Sequence, residues 1–62
     1  MLYNRFGDFE GFLLDTEEGE LRFYSHESEV EALIGRAWEE RLPITVIVER
    51  EEPHRPLSII LR

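Results

Sequence analysis

Ser28 to Leu42 is the one stretch of this 62-residue chain whose apolar residues recur at helical spacing. Val30, Leu33, Ile34, Ala37 and Trp38 form one stripe, while Glu29, Glu31, Arg36, Glu39 and Glu40 fall largely outside it. A lone amphipathic helix must bury that stripe against something. The segments on both sides read as strands, so the expected partner surface is a small sheet or barrel. Trp38 is expected in that core, where truncation to alanine would cost about 3 to 5 kcal/mol. Ser28 with Glu31 three residues on matches a capping box, with Ser25 as an alternative cap one turn earlier. Gly35 either stops the helix or permits close approach of a neighbour, and continuation of the stripe through Trp38 favours close approach. Pro43 ends the helix, because the residue before a proline is pushed toward extended geometry.

Packing has to supply the stability of such a chain. It contains no cysteine, so neither a disulfide nor a thiolate metal site can staple it, and 42% hydrophobic residues suffice for one compact domain spanning residues 1 to 62. Fourteen acidic residues against seven basic ones give a formal net charge of −7, a field that repels phosphate backbones and anionic membranes. All seven basic residues are arginine, which pairs readily with carboxylates. No basic stretch followed by an apolar run follows Met1, and no apolar run approaches bilayer length, so a soluble cytoplasmic protein is expected.

Strand patterns account for most of the remainder. Residues 2 to 6 read as a short first strand ending at Gly7-Asp8. Phe9 to Thr16 follows, with Phe9, Gly11 and Leu13 on one face and Glu10, Phe12 and Leu14 on the other. Apolar groups on both faces suit a curved strand, with Gly11 as its bend. Asp15 to Glu20 reads as a hairpin loop with Gly19 at positive φ, returning through Leu21 to Ser25. Ile44 to Glu49 is nearly all β-branched and is the strongest strand signal in the chain. Arg50 to Pro56 reads as a charged loop with two prolines. Leu57 to Arg62 closes the chain, with Leu57, Ile59 and Leu61 inward and Ser58, Ile60 and Arg62 outward.

The resulting order is β-β-β-α-β-β, an α+β layout. Through the glycine-containing strand Phe9 to Thr16, its hairpin partner Leu21 to Ser25, and the Ala37-Trp38 to Pro43-Ile44-Thr45-Val46 passage, the chain resembles the small five-stranded OB-type barrels. The resemblance is one of layout and covers nearly the whole chain. It implies a partial barrel with the helix packed across its open side; the runner-up is a ββαββ antiparallel sheet with the helix on one face. The glycine often found between helix and fourth strand in such barrels is replaced here by Glu40-Arg41-Leu42-Pro43.

The resemblance also implies ligand binding on the second and third strands, where OB-type proteins stack bases on aromatics or hold oligosaccharides. Phe12, Arg22 and Tyr24 would form that surface if Phe9, Leu13, Leu21 and Phe23 face the core, with Arg5 nearby. Such binding normally accompanies a basic groove, and Asp8, Glu10 and Asp15 oppose one. His26 with Glu27, and His54 with Glu51, offer metal-ligand atoms without a recognised spacing, so neither metal nor cofactor is expected. Ser25, Ser28 and Ser58 have no positioned base, and the chain is short for a water-excluding pocket, so no enzymatic activity is expected. Ile47 and Ile60 lie on the faces opposite the core residues of the last two strands, where only polar groups are required. A small non-catalytic protein-interaction or regulatory module is therefore the expected function. Its partner would be another protein or a second copy of the chain, through Phe12, Arg22, Tyr24, Ile47 and Ile60. The alternative is an OB-like binder of single-stranded nucleic acid or oligosaccharide.

Overall fold

A computed structural model describes residues 1–61, and Arg62, assigned above to the closing strand, lies outside them. Its elements follow the expected order: β1 (Leu2–Tyr3), β2 (Phe9–Thr16), β3 (Gly19–Tyr24), α1 (Ser28–Glu40), β4 (Ile44–Glu49) and β5 (Glu52–Leu61). Among the described residues they form two antiparallel sheets, β1-β2-β3 and β4-β5, with one helix, and no closed barrel. The first part of β5 lies alongside β3, where the His54 Nδ1 is 2.7 Å from the Arg22 carbonyl oxygen.

β1 is shorter than the five residues its apolar pattern suggests, because Asn4 takes over the backbone. Its side-chain oxygen accepts from the Phe6 and Asp8 amides at 2.8 and 3.0 Å, and its own amide donates to the Asp8 carbonyl at 2.9 Å. An Asx-type turn of this kind outcompetes the ladder. Conversely, the hairpin after β2 is tighter than expected. Thr16 pairs with Gly19 across Glu17-Glu18 alone, and Gly19 takes φ 114°.

β2 changes its facing part-way. Leu2 pairs with Gly11 but Tyr3 with Phe9, so Glu10 is an extra residue on β2 and forms a bulge. The bulge carries Phe9 and Phe12 to the same side although they are three residues apart, and both are buried. Gly11 is required at that point. A Cβ there would enter the van der Waals surface of the Phe23 carbonyl oxygen and lie 3.0 Å from Phe23 C and Tyr24 Cα, at φ 151°.

The core is small. Phe9, Phe12, Phe23 and Ile34 form its centre, with Leu14, Val30, Ile44, Val46, Val48 and Ile59 half-buried around them. Phe12 and Phe23 are opposite one another in register, with ring centroids 5.2 Å apart.

The helix presents a different stripe from the one its spacing suggests. Ile34 and Ala37 are buried and Val30 is half-buried, but Trp38 is 71% exposed and so is not a core residue. The buried face is centred on Ile34 and Ala37, which leaves the indole at its margin, against the Arg41 guanidinium at 5.2 Å. Gly35 neither ends nor breaks the helix, and a Cβ on it would lie 3.3 Å from Met1 Cε, so the close neighbour is the first residue's side chain. The capping box does not form. Glu27 is the N-cap without a side-chain bond, and Glu31 turns away to accept from the Tyr3 hydroxyl at 2.9 Å. At the other end Arg41 adopts the left-handed conformation at φ 55°. The Leu42 amide donates to the Ala37 carbonyl and the Arg41 amide to that of Trp38, a Schellman-type close made without glycine.

β5 begins at Glu52, within the stretch expected to be loop. Glu49 pairs with Glu52 across Arg50-Glu51, and the register shifts where Ile47 pairs with Ser58 but Val48 with Pro56. Leu57 is the extra residue of that bulge and is exposed rather than inward, while Ile59 packs against the core as expected.

Candidate functional site

The five residues expected to form an interaction surface do not come together. Phe12 is 1% exposed and belongs to the core, because the bulge at Glu10 reverses the alternation from which an outward Phe12 was inferred. Leu13, exposed, takes the outer position in its place, opposite Arg22 in register. Tyr24 is 50% exposed and stands opposite Gly11. Ile47 and Ile60, at 44% and 42% exposure, lie in the other sheet, opposite Ser58 and Thr45 respectively. Arg5 rests on the exposed Phe6 ring at 5.0 Å, in the turn between β1 and β2.

The described residues form concavities elsewhere. One, of about 1020 Å³, is lined by Tyr24, His26, Glu27, Glu49, Glu51 and His54, among others. Its two histidines are held alike: His26 Nδ1 is 3.1 Å from the Phe9 carbonyl oxygen, and His54 Nδ1 is bonded to that of Arg22. A carbonyl can only accept, so each ring donates through Nδ1 and leaves Nε2 free. His54 also meets Tyr24 edge-on, with centroids 6.2 Å apart, so its ring helps join β5 to β3. Among the described residues no three metal-ligating side chains are grouped to hold an ion.

The second concavity, of about 610 Å³, lies between the end of β2, the last turns of α1 and the start of β4. Phe12, Leu14, Ile34, Trp38, Leu42 and Ile44 contribute to its lining. β4 pairs only with β5, so its other edge has no ladder partner among the described residues. Not one of its six residues is fully buried, although Ile44 to Val48 carry no charge. The residues that open this groove, Trp38 and Leu42 above all, are those that helical spacing assigned to the core or to the helix end. The uncharged run Ile44 to Val48 was the available signal for the exposed edge.

Tyr3 joins β1 to the helix above this framework. Its hydrogen bond to Glu31 holds the phenol above its ordinary value of 10.0, with desolvation and the carboxylate's charge acting in the same direction. Its ring packs edge-on against Phe9 at 5.9 Å. No helix among the described residues is long and apolar enough to cross a membrane. Comparison with family models, curated proteins and solved structures finds no match for this chain.

Proposed function

We propose that this chain is a small non-catalytic protein-interaction module whose working surface is the open side between β2 and β4. The observation that carries the proposal is the apolar groove of about 610 Å³ beside an unpaired strand edge. A partner segment laid there would find main-chain groups to pair with and an apolar floor to bury against, the combination used in strand addition. Phe12, Leu14 and Ile34 supply the floor, and the exposed Trp38 supplies a large aromatic rim.

The second reading, a binder of single-stranded nucleic acid or oligosaccharide, rests on the layout shared with OB-type barrels. Its stacking platform is poorer than the alternation implied. With Phe12 in the core, Tyr24 is the aromatic of β2 and β3 that remains on the outer face, in a chain of net charge −7.

Panning the folded protein against a random peptide display library separates the two readings, with Trp38 fluorescence as the readout. Recovered peptides should be extended and apolar, should shift the emission of Trp38, and should bind almost equally well at low and high salt. If no peptide and no second copy binds, the interaction reading fails. Binding of an oligothymidylate that weakens steeply with salt would replace it with the second reading.

A further inference from the structure

We infer that the free edge of β4 pairs antiparallel with the free edge of β4 in a second copy of this chain, joining the two β4-β5 sheets into one four-stranded sheet about a two-fold axis. This inference rests on the interaction reading above and names the partner.

Three observations support it. Exposed strand edges in monomeric proteins are blunted by a charge, a proline or a bulge within the strand, and Ile44 to Val48 carries none of these on its own backbone: the bulge of this pair is on β5. The strand is also self-complementary. Antiparallel pairing centred on Val46 sets Ile44 against Val48 of the other copy and Thr45 against Ile47, so residues that face the core continue one apolar face and outer residues continue the other. The ends match in charge as well. Arg41 lies just before β4 and has no carboxylate partner among the described residues, since Glu40 is taken by Arg36 at 2.7 Å. Glu49 and Glu51 lie at the other end, outside any ion pair there. Antiparallel pairing brings each Arg41 to the Glu49-Glu51 end of the other copy, whereas parallel pairing would set Glu49 on Glu49. A net charge of −7 disfavours indiscriminate self-association, so contacts that match charge locally are the ones that survive it.

The full chain, with a mass of 7.4 kDa, is tested by light scattering over a dilution series together with amide hydrogen exchange. The expected mass at high concentration is twice that value. Successive amides across residues 44–48 should be protected, and those facing away from β5 should lose protection on dilution. Ile47→Lys, at a position whose exposure lets the monomer fold, should weaken dimerisation at least tenfold. Mixing Ile47→Lys with Ile47→Glu should restore a dimer of unlike copies. Ile60→Lys, one strand away from the seam, should leave the mass unchanged. A monomer at every concentration overturns the inference and leaves the interaction reading to the peptide experiment. A dimer abolished equally by Ile47→Lys and Ile60→Lys, without dilution-sensitive protection in β4, also overturns it, since the contact would then be face to face.

Discussion

Gly11→Ala is the substitution that tests the architecture most directly. A methyl group at this position meets backbone rather than a flexible side chain: the Phe23 carbonyl oxygen lies inside contact distance, and Phe23 C and Tyr24 Cα are 3.0 Å away. β3 must therefore move away from β2 at the Gly11–Tyr24 pair. Three effects add. Loss of the ladder hydrogen bonds that flank that pair, such as the one the Ser25 amide donates to the Glu10 carbonyl, costs about 0.5 to 1.5 kcal/mol each. Placing alanine at a positive φ costs about 1 to 2 kcal/mol. Displacing Phe23 from Phe12, the most buried side chain, forfeits part of an aromatic contact worth about 0.5 to 1.5 kcal/mol. The total is about 2 to 6 kcal/mol, against about 3 to 9 kcal/mol for a domain of this length. Thermal unfolding followed by circular dichroism should then show a Tm lowered by roughly 8 to 48 °C, or no folded state. Gly19→Ala is the control. Gly19 also has positive φ, 114°, but open space where the Cβ would go, so only the conformational part applies, about 1 to 2 kcal/mol. If Gly11→Ala melts within a few degrees of the parent, or no lower than Gly19→Ala, the close approach of β2 and β3 described above is wrong.

Other outcomes follow from the same packing. Trp38→Ala should change stability by no more than about 1 kcal/mol, the scale of an exposed cation–π contact with Arg41, and the parent's emission should be that of a solvated indole, open to acrylamide quenching. Ile34→Ala, at the buried centre of the helix face, should cost about 2 to 5 kcal/mol in urea unfolding; a smaller loss than Trp38→Ala would reverse the assignment of the helix face. In a Tyr24→Phe background, phenolate absorbance should place the Tyr3 midpoint above 10.0, and Glu31→Gln should lower it. Because the folded-state value is raised, the protonated Tyr3 favours the folded state below about pH 10, and that contribution disappears as pH rises through the folded midpoint. A Tyr3 midpoint at or below 10.0 would contradict the Tyr3–Glu31 bond.

The elements were legible because each has a local cause. Alternation marked β2, β-branching marked β4, the three-and-four spacing marked α1, and Gly19 marked its turn. What alternation cannot report is a bulge, since one extra residue exchanges inside for outside for everything beyond it. Alternation therefore places Phe12 on a surface, Leu13 in the core and Leu57 inward, where the structure has Phe12 buried and Leu13 and Leu57 exposed. Trp38 failed for a related reason. Spacing defines a stripe's width, but only the sheet that receives it decides which margin is covered, and the strands centre on Ile34 and Ala37. Glu31 looked like part of a cap because its partner Tyr3 is distant in sequence, 28 residues away. The outward positions of Arg22, Tyr24, Ile47 and Ile60 are legible because Arg22 and Tyr24 flank the buried Phe23, and the bulge at Leu57 lies outside the regular run in which Ile44 to Ile47 pair with Leu61 to Ser58.

The open side of the molecule follows from which face of the helix the sheet covers. A stripe centred on Ile34 and Ala37 leaves Trp38 and Leu42 to line a groove rather than fill it. Apolar residues that a closed barrel would bury are therefore left with one side uncovered, and β4 keeps a row of main-chain groups without partners. Water can satisfy those groups, but it gains nothing from Ile44, Val46 and Val48 beneath them. A second strand satisfies the groups and covers the side chains in one step, which makes the exposed edge of β4 the place where this small core gains most from association.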